Sequence, residues 1–418
     1  MNEIELEKVS SDCGLQQKEN YKDLEKSIVN SFFSNNFDDS LTKSIELLKT
    51  DPENSLAKQY YILSLLKLTS DTRSLLDILL STVDSNPNPD VYTSIGILYL
   101  QLNQPVDALQ YLLKAKDNPV LYYQGINYYI GTAYSMLNDL DNAEIFFYKA
   151  IDFEPNNLKI YQTLFSAVRF NSEKLQKFLE FLQQRAEQSF DIEFLSFTAK
   201  IFAQNSLFIE AINYAKKASE YKPNFDSYYT MAYSYFKLNQ IESAVEYLKK
   251  AFDIKPDNID ANILMLYITS LLQKFDQYAV RAIDFILNSS DSQTLVFKDI
   301  AFELKADSLM QNDDFTQAVD YYTKAIEQFA DTDTAPINLL IKRSLANEKA
   351  KNINDAINDI ELVLDSVKNQ EDSQEFIGIK IELIDRLIKL YAASGDTKRV
   401  LELAEVYKQA LNAMELEI

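Results

Sequence analysis

Residues 206–224 read SLFIEAINYAKKASEYKPN, and residues 239–257 read NQIESAVEYLKKAFDIKPD. The second stretch repeats the first 33 residues later. Ala211 recurs as Ala244, Tyr214 as Tyr247, Lys216-Lys217 as Lys249-Lys250, Ala218 as Ala251, and Lys222-Pro223 as Lys255-Pro256. A period in this range marks an array of stacked supersecondary units, which grows by adding units rather than by enlarging one core. The rest of the chain agrees. With 6 Gly and 9 Pro in 418 residues there is too little turn chemistry for a hairpin-dense β fold. Abundant Leu, Ala, Lys, Glu and Gln favour helices.

Composition excludes several kinds of chemistry. The chain has no His and one Cys, so Ser-His-Asp and Cys-His nucleophile systems and zinc sites of the Cys/His kind are ruled out. A lone Cys forms no internal disulfide, which suits a reducing compartment. Carboxylates outnumber cations by 63 to 41, a formal charge of −22, which repels nucleic acid and anionic lipid. The same charge points either to a basic partner or simply to a soluble surface. The N-terminal stretch MNEIELEKVSSDCGL lacks the basic and apolar regions of a signal peptide, and no run approaches the roughly 20 apolar residues of a membrane span. A cytoplasmic protein with no membrane insertion and no nucleic-acid partner is expected.

From Tyr21 onward the unit can be followed by spacing. The cleanest copy, 124–157, carries Ile130, Gly131, Tyr134, Ala143, Phe147, Ala150 and Pro155. Copies at 89–123 (Gly96, Tyr99, Ala108, Ala115) and about 299–332 (Ala306, Phe315, Ala318, Tyr322, Ala325) are also clear. The copies at 158–191 and about 259–291 are degenerate, with Lys177 and Tyr278 where Ala belongs. Asn288–Ser292 makes a longer link than usual, a small insertion lies near Asp331–Ala335, and Glu371–Glu375 is a polar link. This unit resembles the tetratricopeptide repeat, a pair of antiparallel helices about 34 residues long. The resemblance covers about residues 21–418. It implies an all-α, right-handed superhelical solenoid of about eleven antiparallel helix pairs, several of them degenerate. The expected organisation is a flexible acidic arm over 1–20, an N-terminal and central array over 21–298, and C-terminal units with a capping helix over 299–418. In the family pattern, small residues stand where the two helices cross, so Ala211, Ala218, Ala244 and Ala251 are read as contact points. Tyr99, Tyr134, Phe147, Phe202 and Tyr235 are read as packing.

The resemblance also implies a concave groove lined by the first helix of each pair. The groove positions it marks are Tyr128, Arg169, Phe170, Lys200, Tyr229, Tyr233, Phe236, Lys237 and Tyr267. Aromatic rings with a few cations suit a protein or peptide segment, because tyrosine joins apolar area to one hydrogen-bonding group at low entropic cost. Chaperone-binding members grip a C-terminal carboxylate with an Asn at one groove position. Here that position reads Val29, Leu63, Ile97, Thr132, Ser166, Lys200, Tyr233, Tyr267, Asp307, Leu345 and Lys389, so no such clamp is expected. Carboxylate pairs such as Asp38-Asp39 and Asp313-Asp314 fall in turns and read as helix caps. The function expected is a non-enzymatic interaction scaffold without cofactor, catalytic residue or metal, binding a protein or peptide, a basic one among the candidates. The alternative is a peptide-sensing regulator whose superhelix changes pitch on binding.

Overall fold

The computed structural model describes residues 22–416 apart from 33, 35, 53, 69–71, 84–88, 117–124, 330–335 and 368–373. The arm expected at 1–20 and the insertion near Asp331–Ala335 lie outside the described residues. All described secondary structure is helical, in eleven consecutive pairs and one extra turn of helix. The chain divides into two compact units, Met1–Arg185 and Ala186–Ile418. The expected break at 298/299 falls inside the second.

The first unit begins with α1 (residues 22–32) and α2 (Phe37–Thr50). It continues through α3 (Ser55–Leu68) and α4 (Thr72–Val83), α5 (Pro89–Gln101) and α6 (Pro105–Lys116), and α7 (Ile126–Met136) and α8 (Leu140–Phe153). Its last pair is α9 (Leu158–Val168) with α10 (Ser172–Gln188), within which the division falls. The second unit holds α11 (Ile192–Gln204) and α12 (Phe208–Tyr221), α13 (Phe225–Lys237) and α14 (Ile241–Ile254), and α15 (Ile259–Leu272) and α16 (Gln277–Asn288). The one-turn α17 (Ser292–Leu295) follows, then α18 (Lys298–Gln311) and α19 (Phe315–Glu327), α20 (Ile337–Lys349) and α21 (Ile353–Val367), and α22 (Gln374–Ser394) and α23 (Thr397–Leu416). Gln374 and Glu375, read from sequence as part of a link, open α22. Among the described residues no helix is long and apolar enough to cross a membrane.

Local chemistry sets these boundaries. Asp139, Asn157, Asp191, Asn224, Asn258, Asp276 and Asp314 each place a side-chain oxygen on a backbone N–H of the first helical turn, satisfying donors that the helix itself leaves open. Asp314 therefore caps α19 as its spacing suggested, whereas Asp38 and Asp39 lie in the first turn of α2, which Asn36 caps, and Asp39 pairs with Lys43. The residue that reverses the chain between the two helices of a pair is left-handed at Asn103, Asn138, Ser206, Asn239, Gln273, Asp313, Lys351 and Gly395.

Inside each pair the helices touch through small residues. Ala108, Ala115, Ala143, Ala150, Ala211, Ala218, Ala244, Ala251, Ala318, Ala325 and Ala356 are all buried. Rings twelve residues apart meet across the same hairpins: Tyr99 with Tyr111 at 5.7 Å, Tyr134 with Phe146 at 5.6 Å, Phe202 with Tyr214 at 5.6 Å, and Tyr235 with Tyr247 at 5.5 Å. Phe147 and Phe202 are fully inside, whereas Tyr99, Tyr134 and Tyr235 are half-buried.

The degenerate pairs shift by one residue. Lys177 is exposed and paired with Glu173, and the buried residue is Phe178. Tyr278 turns outward to donate to Asp253, and Ala279 is buried in its stead. Both helices thus keep an inward apolar face by rotating it one position from the expected frame.

Candidate functional site

The first helices of successive pairs adjoin within each unit: α3 with α5, α5 with α7, α7 with α9, and α11 with α13. In the first unit this row carries a cavity of about 300 Å³. Leu63 of α3, Ile97 and Gln101 of α5, Tyr128, Thr132 and Met136 of α7, and Lys159 of α9 line it. Leu63, Ile97 and Thr132 stand at the groove position that the sequence analysis tested for Asn, so apolar and hydroxyl groups fill the place of a clamp. A second cavity of about 170 Å³ shares Tyr128, Tyr129 and Lys159 and adds Gly125, Glu154 and Asn157.

Tyr128, marked as a groove residue from the sequence, lines both cavities. Its hydroxyl lies 3.3 Å from Thr163 Oγ1, its ring meets Tyr129 edge-on at 5.2 Å, and Lys159 Nζ sits 5.4 Å from the ring centroid. Arg169 and Phe170 lie just beyond α9, both exposed, with the guanidinium 4.5 Å from the Phe170 ring. They stack on one another and line neither cavity.

In the second unit Tyr229, Tyr233 and Lys237 form a ladder along α13. The spacing of four puts them on one face of the helix. Phe225 and Tyr229 stack nearly parallel at 5.7 Å, and Tyr229 and Tyr233 follow at 6.5 Å. Lys237 Nζ closes one end 5.4 Å from the Tyr233 ring, and Lys255 Nζ closes the other 5.1 Å from Phe225. Phe208 meets Tyr233 edge-on. Tyr229, Tyr233 and Phe236 also pack against the core around Ala232, Leu248 and Phe252, so each ring is half core and half surface. Burial, and then the Asp260 carboxylate, push the Tyr229 phenol above its ordinary value. No group of the protein hydrogen-bonds the Tyr229 or Tyr233 hydroxyl among the described residues.

Lys200 is exposed on α11. Tyr267 is 43% exposed on α15 and meets Phe297 edge-on at 5.6 Å. The long link noted in the sequence folds as α17, and the residues after it bring Phe297 onto Tyr267. Leu271, one turn beyond Tyr267, is 64% exposed. Sequence reading missed Phe225, Phe208, Lys255, Leu271 and Phe297 here, and Lys159 and Met136 in the first unit. Leu271 and Met136 were within reach, since each lies one helical turn after a marked groove position. Phe297 was not, because it lies in an irregular link outside the repeat frame.

The surface offers rings, hydroxyls and ammonium groups. Among the described residues no cluster of three or more His, Cys, Asp or Glu is placed to hold a metal.

The model of the tetratricopeptide repeat family matches residues 125–157, 225–258 and 301–332, which are the pairs α7/α8, α13/α14 and most of α18/α19. No curated protein sequence matches the chain. Among solved structures, YrrB, a TPR protein with an unusual peptide-binding site, is 23% identical; the match covers 44% of this chain and 95% of that one, with a TM-score of 0.32. The C-terminal part of a TPR repeat-containing protein from Cytophaga hutchinsonii is 17% identical over 57% and 98% of the two chains, with a TM-score of 0.42. The apo form of the quorum sensor NprR from B. thuringiensis is 17% identical over 74% and 99%, with a TM-score of 0.37. The matched family segments, and not these likenesses, identify the repeat.

Proposed function

We propose that the chain, three segments of which match the tetratricopeptide repeat, is an interaction scaffold that receives a segment of a partner protein on the first-helix face of α11, α13 and α15. The observation that carries this is the row of half-buried Tyr229 and Tyr233 and exposed Tyr267 and Leu271, whose two α13 hydroxyls have no protein partner among the described residues. Large rings already held by packing lose little freedom when a partner covers them, so their apolar area turns into binding with small entropic loss. Binding here means covering that surface with a polypeptide, and no step of bond-making is involved.

The test is comparative affinity capture. Tyr267→Glu/Leu271→Glu alters two exposed side chains, so the fold is expected to survive, which circular dichroism checks. Leu401→Glu, on α23 and 71% exposed, serves as control. Partners retained by wild type and the control and lost by the double variant are the expected result. Identical partners on all three would remove this face from the function.

A further inference from the structure

The charge of the partner segment follows from how the same face departs from the rest of the chain, an argument that rests on the proposed use of that face. Three levels of side chain run across it, each spaced by 33 and then 34 residues. The first is Tyr229 and Ile263, with Ser196 buried beside Ser227; the second Lys200, Tyr233 and Tyr267; the third Gln204, Lys237 and Leu271. None is Asp or Glu, in a protein whose 63 carboxylates outnumber its 41 cations.

The lysines reinforce the point. Some lysines of this unit pair with carboxylates, Lys249 with Asp276, Lys250 with Glu246, Lys305 with Asp284 and Lys389 with Asp385, while others, such as Lys216, Lys324 and Lys349, have no such partner among the described residues. Lys200, Lys237 and Lys255 have no carboxylate partner among the described residues, although acids are in excess. Two of them rest against ladder rings and the third is open to solvent. Beyond this face the pattern stops. The corresponding positions of α18 are Glu303 and Asp307, and both are already neutralised by Lys342 Nζ at 2.6 and 2.7 Å. Asp260 is the carboxylate that acts on the Tyr229 hydroxyl, at the end of the ladder where Lys255 also stands.

We propose that the segment received on α11, α13 and α15 is acidic, with carboxylate side chains flanking an apolar residue seated between Tyr233 and Tyr267. Neighbouring helices 8–10 Å apart give three first helices a span of about 20 Å, which about six extended residues cover. Lys200 and Lys237 meet the carboxylates, and the Tyr229 and Tyr233 hydroxyls donate to side-chain or backbone oxygens. A basic segment, the expectation from net charge alone, would set its cations against lysines with no acid between them. Net charge describes the whole surface, whereas recognition is decided by the groups at the contact.

The experiment is selection of a phage-displayed library of random twelve-residue peptides on the full chain. The strongest selected sequence is then measured by fluorescence anisotropy as a fluorescein-labelled synthetic peptide. The expected result is enrichment of Asp and Glu around an apolar residue. Affinity should fall about tenfold with Lys200→Glu/Lys237→Glu, the loss of two exposed ion pairs with like charge put in their place. Raising salt should weaken wild-type binding and have little effect on the variant's residual binding. Peptides that bind wild type but not Tyr267→Glu/Leu271→Glu, yet are neutral or basic, overturn the acidic assignment and leave the face assignment standing. Acidic peptides held equally by wild type and Lys200→Glu/Lys237→Glu also overturn it. Peptides indifferent to Tyr267→Glu/Leu271→Glu overturn the face assignment itself.

Discussion

Gly96 and Gly131 stand where the first helix of a pair comes closest to the second. A Cβ on Gly96 would lie 2.5 Å from Leu112 Cγ and 3.2 Å from the Ala108 carbonyl oxygen, and one on Gly131 would lie 3.0 Å from Phe147 Cδ1. Leu112 and Phe147 are fully buried and have little room to withdraw. Gly96→Ala is therefore expected to cost about 1–3 kcal/mol by overpacking, despite the roughly 1 kcal/mol that alanine gains as a helix former. Gly131→Ala should cost less. Urea denaturation measures both, and a Gly96→Ala chain as stable as wild type would mean that α5 and α6 can move apart at little cost. This position was legible in the sequence because one steric demand selects Gly or Ala there. Lys177 and Tyr278 show the limit of such reading. A helix can rotate by one residue and bury Phe178 or Ala279 instead, and spacing alone carries no sign of that rotation. The groove residues show another limit. Tyr229 and Tyr233 serve packing and surface with one ring each, a division set by their neighbours rather than by the residue type.

At the scale of the element, tyrosines tie helices together through acids. The Tyr391 hydroxyl of α22 donates to Glu361 of α21 at 2.6 Å. Burial, and then that carboxylate, push its phenol up to about 12. Burial, and then Glu144, push the Tyr148 phenol of α8 up to about 12 as well. An unfolded phenol ionises near about 10. Below that pH both states keep the proton and the stability these groups contribute is fully present. Between about pH 10 and 12 the unfolded chain releases its protons first, so stability falls as pH rises. Burial shifts Tyr322 and Tyr229 in the same direction, so each tyrosine accounts for part of the slope. Tyr148→Phe/Tyr391→Phe is expected to flatten the alkaline loss of stability, followed by denaturation at stepped pH beside a tyrosinate absorbance titration. An unchanged slope would mean that these hydroxyls reach water freely. The pairs themselves were readable from alanine and turn spacing. The acid partners were not, since Glu361 lies 30 residues before Tyr391 and no repeat landmark marks it.

For the molecule as two units, each pair touches its sequence neighbours within its own unit, as in a linear array. A fault in one pair should then spread only a short way. In Gly96→Ala, amide hydrogen exchange is expected to quicken in α5, α6 and the adjoining helices of the first unit, with α20 and α21 keeping wild-type rates. Uniform quickening along the chain would show that it opens as a single cooperative body. The number of pairs was legible from end to end because each copy supports the frame of the next. The division at Arg185 was not, because α10 crosses it without a break in helix.

The left-handed residues of the hairpin turns have a further consequence. Asn103, Asn138, Ser206, Asn239, Gln273, Asp313 and Lys351 all hold a backbone conformation in which a side chain costs about 1 kcal/mol or more relative to glycine, and only Gly395 avoids it. The described residues therefore contain seven comparable strained points, each in the turn of a helix pair and well separated from one another. Glycine placed at them singly and then together would relieve the same strain at known places. Where the single effects add, the repeats concerned are independent; where they do not, the shortfall is the coupling between them. The turns thus serve as a built-in ruler for how far along the array one repeat feels another.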